Sequence, residues 1–226
     1  SLGLVGSEMC IRDRSVSGET VDNTLVVKAW WGRLNKDQRA TLIEVAPGII
    51  GNLNGVTYDA RDKANRWLLK RAMADSNLRP ETQTLLDDLL KSSIGKDGKP
   101  PRYITSLDLS NLKTENEDNY SYNDVLASIS LESLDDADKV SIIVPGMTNN
   151  VSSMSDLTIA GLNMYNEQRF AVHDHGEGNQ QIAVNLWIGY ETPPGVGDQL
   201  QHRDKLVTDV NWHVKEVRGL QTILMV

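Results

Sequence analysis

Two places in this chain combine residue types and spacing that could do chemistry. The first is VSIIVPGM, residues 140 to 147, an apolar and largely β-branched run that ends in Pro145-Gly146. Such a run reads as a buried parallel strand feeding a tight turn, and the carboxyl end of a parallel strand is where α/β sheets place ligand-facing backbone. The run from Ile182 to Tyr190 ends in the same way, at Gly189 with Pro193-Pro194 behind it. There Tyr190 and Pro193 are candidates for lining a substrate cleft, with packing an equal reading. The second place is His173-x-His175, flanked by Asp174 and Glu177. In an extended segment an i, i+2 pair puts both imidazoles on one face, a recurrent metal-ligand spacing, and Glu177 would add an oxygen. A catalytic zinc asks for a third protein ligand and an orienting shell, and His202 and His213 are not anchored to this segment. A polar loop between a helix and a strand is therefore the favoured reading, and no metal or cofactor is expected. His202 with Asp204, or His213 with Glu216, has the composition of a base and its orienter. A triad is recognised by geometry, however, and these read as surface residues. A serine nucleophile needs a G-x-S-x-G elbow to expose it, and none occurs in the 226 residues.

The elements that must position these residues fall into two groups. From Val21 to about Ser93 the pattern is helical. Asn35 with Gln38 three residues on forms a capping box opening a helix through Leu42, Ile43 and Ala46, which Pro47-Gly48 closes. A long amphipathic helix is predicted from Thr57 to Met73, and Pro80 at a first helical position starts another, with leucines at 85, 86, 89 and 90 on one stripe. GKDGKPP, residues 95 to 101, marks a change of pattern. Tyr103 to Leu109 and Val125 to Leu131 then alternate as strands, with a polar, acidic loop or insertion between them. Val140 to Val144, a crossover helix from Ser152 to Phe170 and Ile182 to Ile188 make a βαβ unit, right-handed by default. The domain reading is residues 1–14 as a non-native segment, 19–95 as a helical N-terminal region and 100–226 as a partial sheet domain.

A formal charge of −8 argues against a nucleic-acid footprint, which requires a basic face. The 39% hydrophobic and 24% charged content is that of a globular chain rather than a disordered one. No run approaches the roughly 18 consecutive apolar residues of a membrane helix. Cys10, the single cysteine, excludes an internal disulfide and a multi-cysteine metal site. It lies in SLGLVGSEMCIRDR, which lacks the organisation of a signal peptide and resembles a translated sequencing adapter. The natural chain is expected to begin near Ser15 with its true start missing, so localisation, cytoplasmic or exported, is not read.

In their order, four stretches resemble an actinobacterial α/β-hydrolase family of the domain-of-unknown-function 1023 type. These are Trp30-Trp31 followed by LNKDQRATLIEVAPGIIGNLNGV, ARDKANRWLL at 60 to 69, DADKVSIIVPGMTNNV at 136 to 151 and LWIGYETPPG at 186 to 195. The resemblance covers roughly residues 27 to 195. It implies an α/β fold, a helical N-terminal block followed by the first part of a mostly parallel hydrolase sheet, cut after its fourth strand. It also implies that the turn after Val144 supplies an oxyanion-hole N–H, with Met147 as donor and Gly146 allowing the close approach. Arg61, Asp62, Asn65 and Arg66 match the family's N-terminal motifs, where packing and capping are favoured over a substrate groove. The serine, acid and histidine of the family would lie beyond Val226, so this chain is expected to be inactive and poorly folded alone. The function expected of the parent is serine-dependent hydrolysis of a small-molecule ester or acyl bond. The alternative is a non-catalytic binding protein on the same scaffold.

Overall fold

The computed structural model describes residues 23–95, 99–110, 112, 125–146, 149–175 and 179–189, and the backbone of 220–225. The helical region comprises α1 (Thr24–Arg33), α2 (Lys36–Val45), the single turn α3 (Pro47–Ile50), α4 (Tyr58–Met73) and α5 (Pro80–Ser92). The strands are β1 (Arg102–Asp108), β2 (Leu126–Leu131), β3 (Lys139–Val144), β4 (Ile182–Ile188) and β5 (Leu220–Met225). Between β3 and β4 a 3₁₀ turn, Val151–Ser153, leads into α6 (Met154–Asp174).

Local chemistry accounts for the helix boundaries. The Asn35 side chain accepts from the Gln38 N–H at 2.9 Å while Gln38 accepts from the Asn35 N–H at 2.9 Å, closing the expected box at the start of α2. Pro80 opens α5 at a position where the missing N–H has no intrahelical role. Helix α4 is capped from elsewhere: Thr57 makes no side-chain cap, and the Asp135 carboxylate instead accepts the N–H groups of Tyr58 at 3.0 Å and Asp59 at 3.1 Å. An acid at the positive end of the helix thus ties α4 to the segment after β2. No local pattern announces this cap, because its partners are 76 and 77 residues apart.

The strands form one five-stranded mixed sheet in the order β1-β2-β4-β3-β5. β1 with β2 and β2 with β4 are antiparallel; β4 with β3 and β3 with β5 are parallel. This is an α/β fold, with the helical block ahead of the sheet as the sequence implied. The sheet does not end at a fourth strand. β5 pairs along β3 from Leu220 to Met225, so the uncharged run LQTILM adds a fifth.

Period-2 alternation gives the sheet two buried faces. One carries Ala127, Ile129, Leu131, Val184, Leu186 and Ile188 against Leu86, Leu89, Met154 and Tyr165. The other carries Val140, Ile142, Val144, Ala183 and Trp187 with Tyr58 and Leu134. A third cluster, Trp31, Ile50, Val56, Ala60 and Ala64, belongs to the helical block alone. Helix α6 rides close to the sheet because Gly161 stands where a side chain would meet Leu186 at 2.6 Å and Leu131 at 3.3 Å.

Candidate functional site

The connections around β3 define the site. The chain leaves β3 through α6 to reach β4 on one side, and β5 then lies on the other side. Connections that depart on opposite sides of a strand open a crevice beyond its carboxyl end, which is where open α/β sheets bind ligands. At β3 that end is Val144-Pro145-Gly146. Val144 pairs with Met225 in the parallel register, so the carboxyl ends of β3 and β5 stand side by side. The end of β4 lies on the opposite flank, with Ile143 opposite Leu186.

Burial changes at this rim. Val144 and Pro145 are buried, whereas Gly146, Asn149 and Asn150 are half-buried. The two asparagines organise the approach to α6 in different ways. Asn149 Nδ2 donates to the Gly146 carbonyl at 3.3 Å, while Asn150 Oδ1 accepts the Ser152 N–H at 2.9 Å and caps the 3₁₀ turn. Residues 144 to 150 include no titratable side chain. What the turn offers chemically is therefore backbone N–H and C=O, held at the amino end of a 21-residue helix.

The flank at β4 is apolar. Trp187, 4% exposed, shares a cluster with Val144, and its indole folds back so closely that a Cβ on Gly189 would collide with it. Gly189 is needed for that approach rather than for an unusual φ. Beneath the rim a polar row crosses the sheet: Thr105 Oγ1 meets Ser128 Oγ at 2.5 Å and donates to Asn185 Oδ1 at 3.1 Å, and Ser106 Oγ meets Ser128 Oγ at 2.7 Å. Asn185 and Ser128 are fully buried, so this row binds β1, β2 and β4 to one another and is closed to a ligand. Alternation in VLASISL hides it, because serines in a strand read as solvent-facing.

The sequence candidates are distributed as follows. Gly146 follows the carboxyl end of β3; Met147, Tyr190 and Pro193 lie outside the described residues, as do His202, His213 and the segment 1–14 with Cys10. His173 is in the last turn of α6 and His175 is its C-cap, both exposed. The segment is helical there and not extended, so the i, i+2 spacing turns the two imidazoles about 200° apart and removes the shared face that a metal would need. Among the described residues no three His, Cys, Asp or Glu side chains converge as a metal group. Arg61, Asp62, Asn65 and Arg66 are not at the crevice; they join α4 to β1. Asn65 Nδ2 donates to the carbonyls of Gly51 at 3.0 Å and Ile104 at 2.9 Å, and Asp62 Oδ1 accepts the Ile104 N–H at 2.6 Å. Arg61, 2% exposed, donates to the Gly51 carbonyl and lies 4.9 Å over the Tyr58 ring. Arg66 pairs with Asp62 at 2.9 Å and reaches Ser93 and the Arg102 carbonyl.

Residues 121–218 match the model of an α/β-hydrolase family. The match begins ahead of β2 and takes in β3, α6 and β4, and ends just before β5. It also extends through the stretch after Gly197 that the sequence resemblance left unmatched. Two uncharacterized proteins of Mycobacterium tuberculosis, MT2140 and Rv2079, are each 27% identical over 196 residues, covering 74% of this chain and 28% of the relative. The chain thus spans little more than a quarter of the length of the curated relatives it matches. No solved structure matches it.

Proposed function

We propose that this chain is the scaffold-bearing part of an α/β-fold serine hydrolase that cleaves an ester or related acyl bond, of the domain-of-unknown-function 1023 type. The observation that carries the reading is the side-by-side placement of the carboxyl ends of β3 and β5 at the crevice. In α/β-hydrolases the nucleophile stands on a strand-to-helix elbow, and one oxyanion donor comes from the turn after an earlier strand. An elbow after β5 would be about one strand spacing, ~5 Å, from the turn at Gly146. That is the neighbourhood a tetrahedral intermediate requires of its nucleophile and its donor.

The division of labour follows. The N–H of Met147 takes the negative oxygen, and Gly146 lets the substrate carbonyl come close. Asn149 holds the turn through the Gly146 carbonyl. Val144 and Trp187 give the crevice an apolar floor, and Tyr190 and Pro193 line its mouth. In α/β-hydrolases serine, acid and histidine follow in that order, and the serine elbow stands at the end of β5.

The test is to read the source locus onward from the codon for Val226 and express the whole frame. A G-x-S-x-G motif directly at the carboxyl end of β5 is expected, with covalent labelling by a fluorophosphonate that the Ser→Ala variant loses. An in-frame stop directly after Val226, or labelling indifferent to that serine, would leave a scaffold without its nucleophile and make a non-catalytic binding protein the better account.

A further inference from the structure

Helix α1 is apolar on two sides. Val27 and Trp31 point into the cluster formed with Ile50, Val56, Ala60 and Ala64. On the outer side Leu25 is 65% exposed, Val26 68% and Trp30 37%. Leu25 with Ala29, and Val26 with Trp30, are i, i+4 pairs, so they form two adjacent apolar ridges on the surface. A helix that buries one stripe ordinarily turns charged or polar residues the other way. A groove of about 510 Å³ beside Trp30 is lined by Trp30, Leu34 and Leu42 together with the polar Asn35, Asp37, Gln38 and Thr41.

The charge on this helix is opposite to that of the chain. The molecule carries −8, yet the stretch from Thr24 to Lys36 holds Lys28, Arg33 and Lys36 and no acidic residue. All three cations are exposed. Acids flank the stretch on both sides, Glu19 and Asp22 before it and Asp37 and Glu44 in α2, with Asp37 in the groove beside Trp30. Arg39 is drawn into the fold, donating to the Trp31 and Gly32 carbonyls at 3.1 and 3.3 Å with its guanidinium 5.5 Å over the Trp31 ring. At 100° per residue, Arg33 falls between Leu25 and Val26 on the outer side, and Lys28 flanks Leu25.

From this juxtaposition we infer that the outer face of α1, continued by the start of α2, docks on an anionic lipid surface. Leu25, Val26 and Trp30 enter the boundary between headgroups and acyl chains, where an indole is well placed to keep its N–H in the wet layer. The three exposed cations meet headgroup phosphates and carboxylates, so apolar burial and electrostatic attraction act together. The acidic remainder of the chain is repelled by such a surface, which leaves this face as the one that approaches. The contact is peripheral: among the described residues no helix is long and apolar enough to cross a membrane.

Co-sedimentation of the protein expressed from the whole reading frame with vesicles tests the inference. Binding is expected to phosphatidylserine–phosphatidylcholine vesicles and not to phosphatidylcholine alone. It should weaken by roughly tenfold when salt is raised from ~0.1 M to ~0.5 M. Leu25→Ser with Val26→Ser, and separately Lys28→Glu with Arg33→Glu, should each reduce partitioning by a similar factor. All four positions are exposed, and unchanged circular dichroism verifies the fold. Absence of binding, equal binding to neutral vesicles, or binding indifferent to both variant pairs overturns the proposal. So does light scattering that shows a dimer dissolved by the Leu25→Ser, Val26→Ser variant without vesicle binding, which would make the face a contact between copies.

Discussion

Asn65→Ala is expected to lower the free energy of unfolding by about 2–4 kcal/mol, a large share of the 5–15 kcal/mol typical of a domain. Asn65 is fully buried on α4, and its amide donates to two carbonyls on different elements, Gly51 after α3 and Ile104 in β1. Truncation removes both bonds and leaves the Ile104 carbonyl without the donor that α4 supplies, in a place water does not reach. The Gly51 carbonyl keeps the Arg61 guanidinium at 3.1 Å, which moderates the loss. The same contact explains Gly51. Its φ of −65° suits any residue, yet a Cβ there would run into the Asn65 side-chain oxygen and lie 3.0 Å from the Pro47 carbonyl. Gly51→Ala alone should therefore destabilise by about 1–3 kcal/mol through overpacking. In the Asn65→Ala background that penalty should shrink, a coupling between neighbours that urea denaturation of the four-member cycle measures. Strict additivity would show that the two residues do not meet as described.

The second large effect is expected at Arg66 and depends on pH. Its guanidinium bonds Asp62, the Ser93 hydroxyl and carbonyl, and the Arg102 carbonyl, thereby joining α4, the end of α5 and the start of β1. Arg66→Met should cost about 2–4 kcal/mol near pH 7, less than for a fully buried pair because Arg66 keeps 23% of its side-chain exposure. Burial raises the Asp62 carboxyl above the usual aspartate range, and the hydrogen bonds from Arg66 and the Ile104 N–H pull against that rise. An acid raised on folding binds more protons in the native state than in the unfolded one. Its contribution is thus fully present at low pH and is lost as pH rises through the folded value. Without Arg66 the rise grows, and the loss with pH becomes steeper. The stability gap between wild type and Arg66→Met should then narrow as pH is lowered from neutrality and Asp62 takes up its proton. A gap that stays constant across that range would mean the arginine acts through Ser93 and Arg102 alone.

Both residues were visible in the sequence as family-like positions in ARDKANRWLL, and packing was the favoured reading of them. Their partners were not visible, because Ile104, Ser93 and Arg102 are brought to α4 only by the fold. The α/β class, the capping box at Asn35 and the βαβ unit were legible, since each follows from local periodicity or a three-residue spacing. Three things were not. The cap supplied to α4 by Asp135 acts across 77 residues. The buried Thr105, Ser128 and Asn185 row uses residue types that normally mark the solvent face of a strand. LQTILM carries a strand composition, but β5 can be recognised only through its pairing with β3, and the stretch before it matched nothing in the sequence reading. The histidine pair, read chiefly as a polar loop, lies instead at the end of α6. A ligand spacing that holds in a strand has no meaning once α6 runs on to Asp174.

VPGM pointed to the end of a strand, and the strand order adds that the carboxyl ends of β3 and β5 stand side by side there. What the account claims of it is a backbone donor beside the position of a nucleophile. The most direct measurement is ester hydrolysis by the protein from the whole reading frame, compared with its Met147→Pro variant, in which that N–H is removed. A fall in kcat of roughly 100- to 1000-fold with KM little changed is expected if the donor acts on the transition state. Retained kcat in a folded Met147→Pro variant would contradict the assignment of the oxyanion turn, and with it the placement of the site at the ends of β3 and β5.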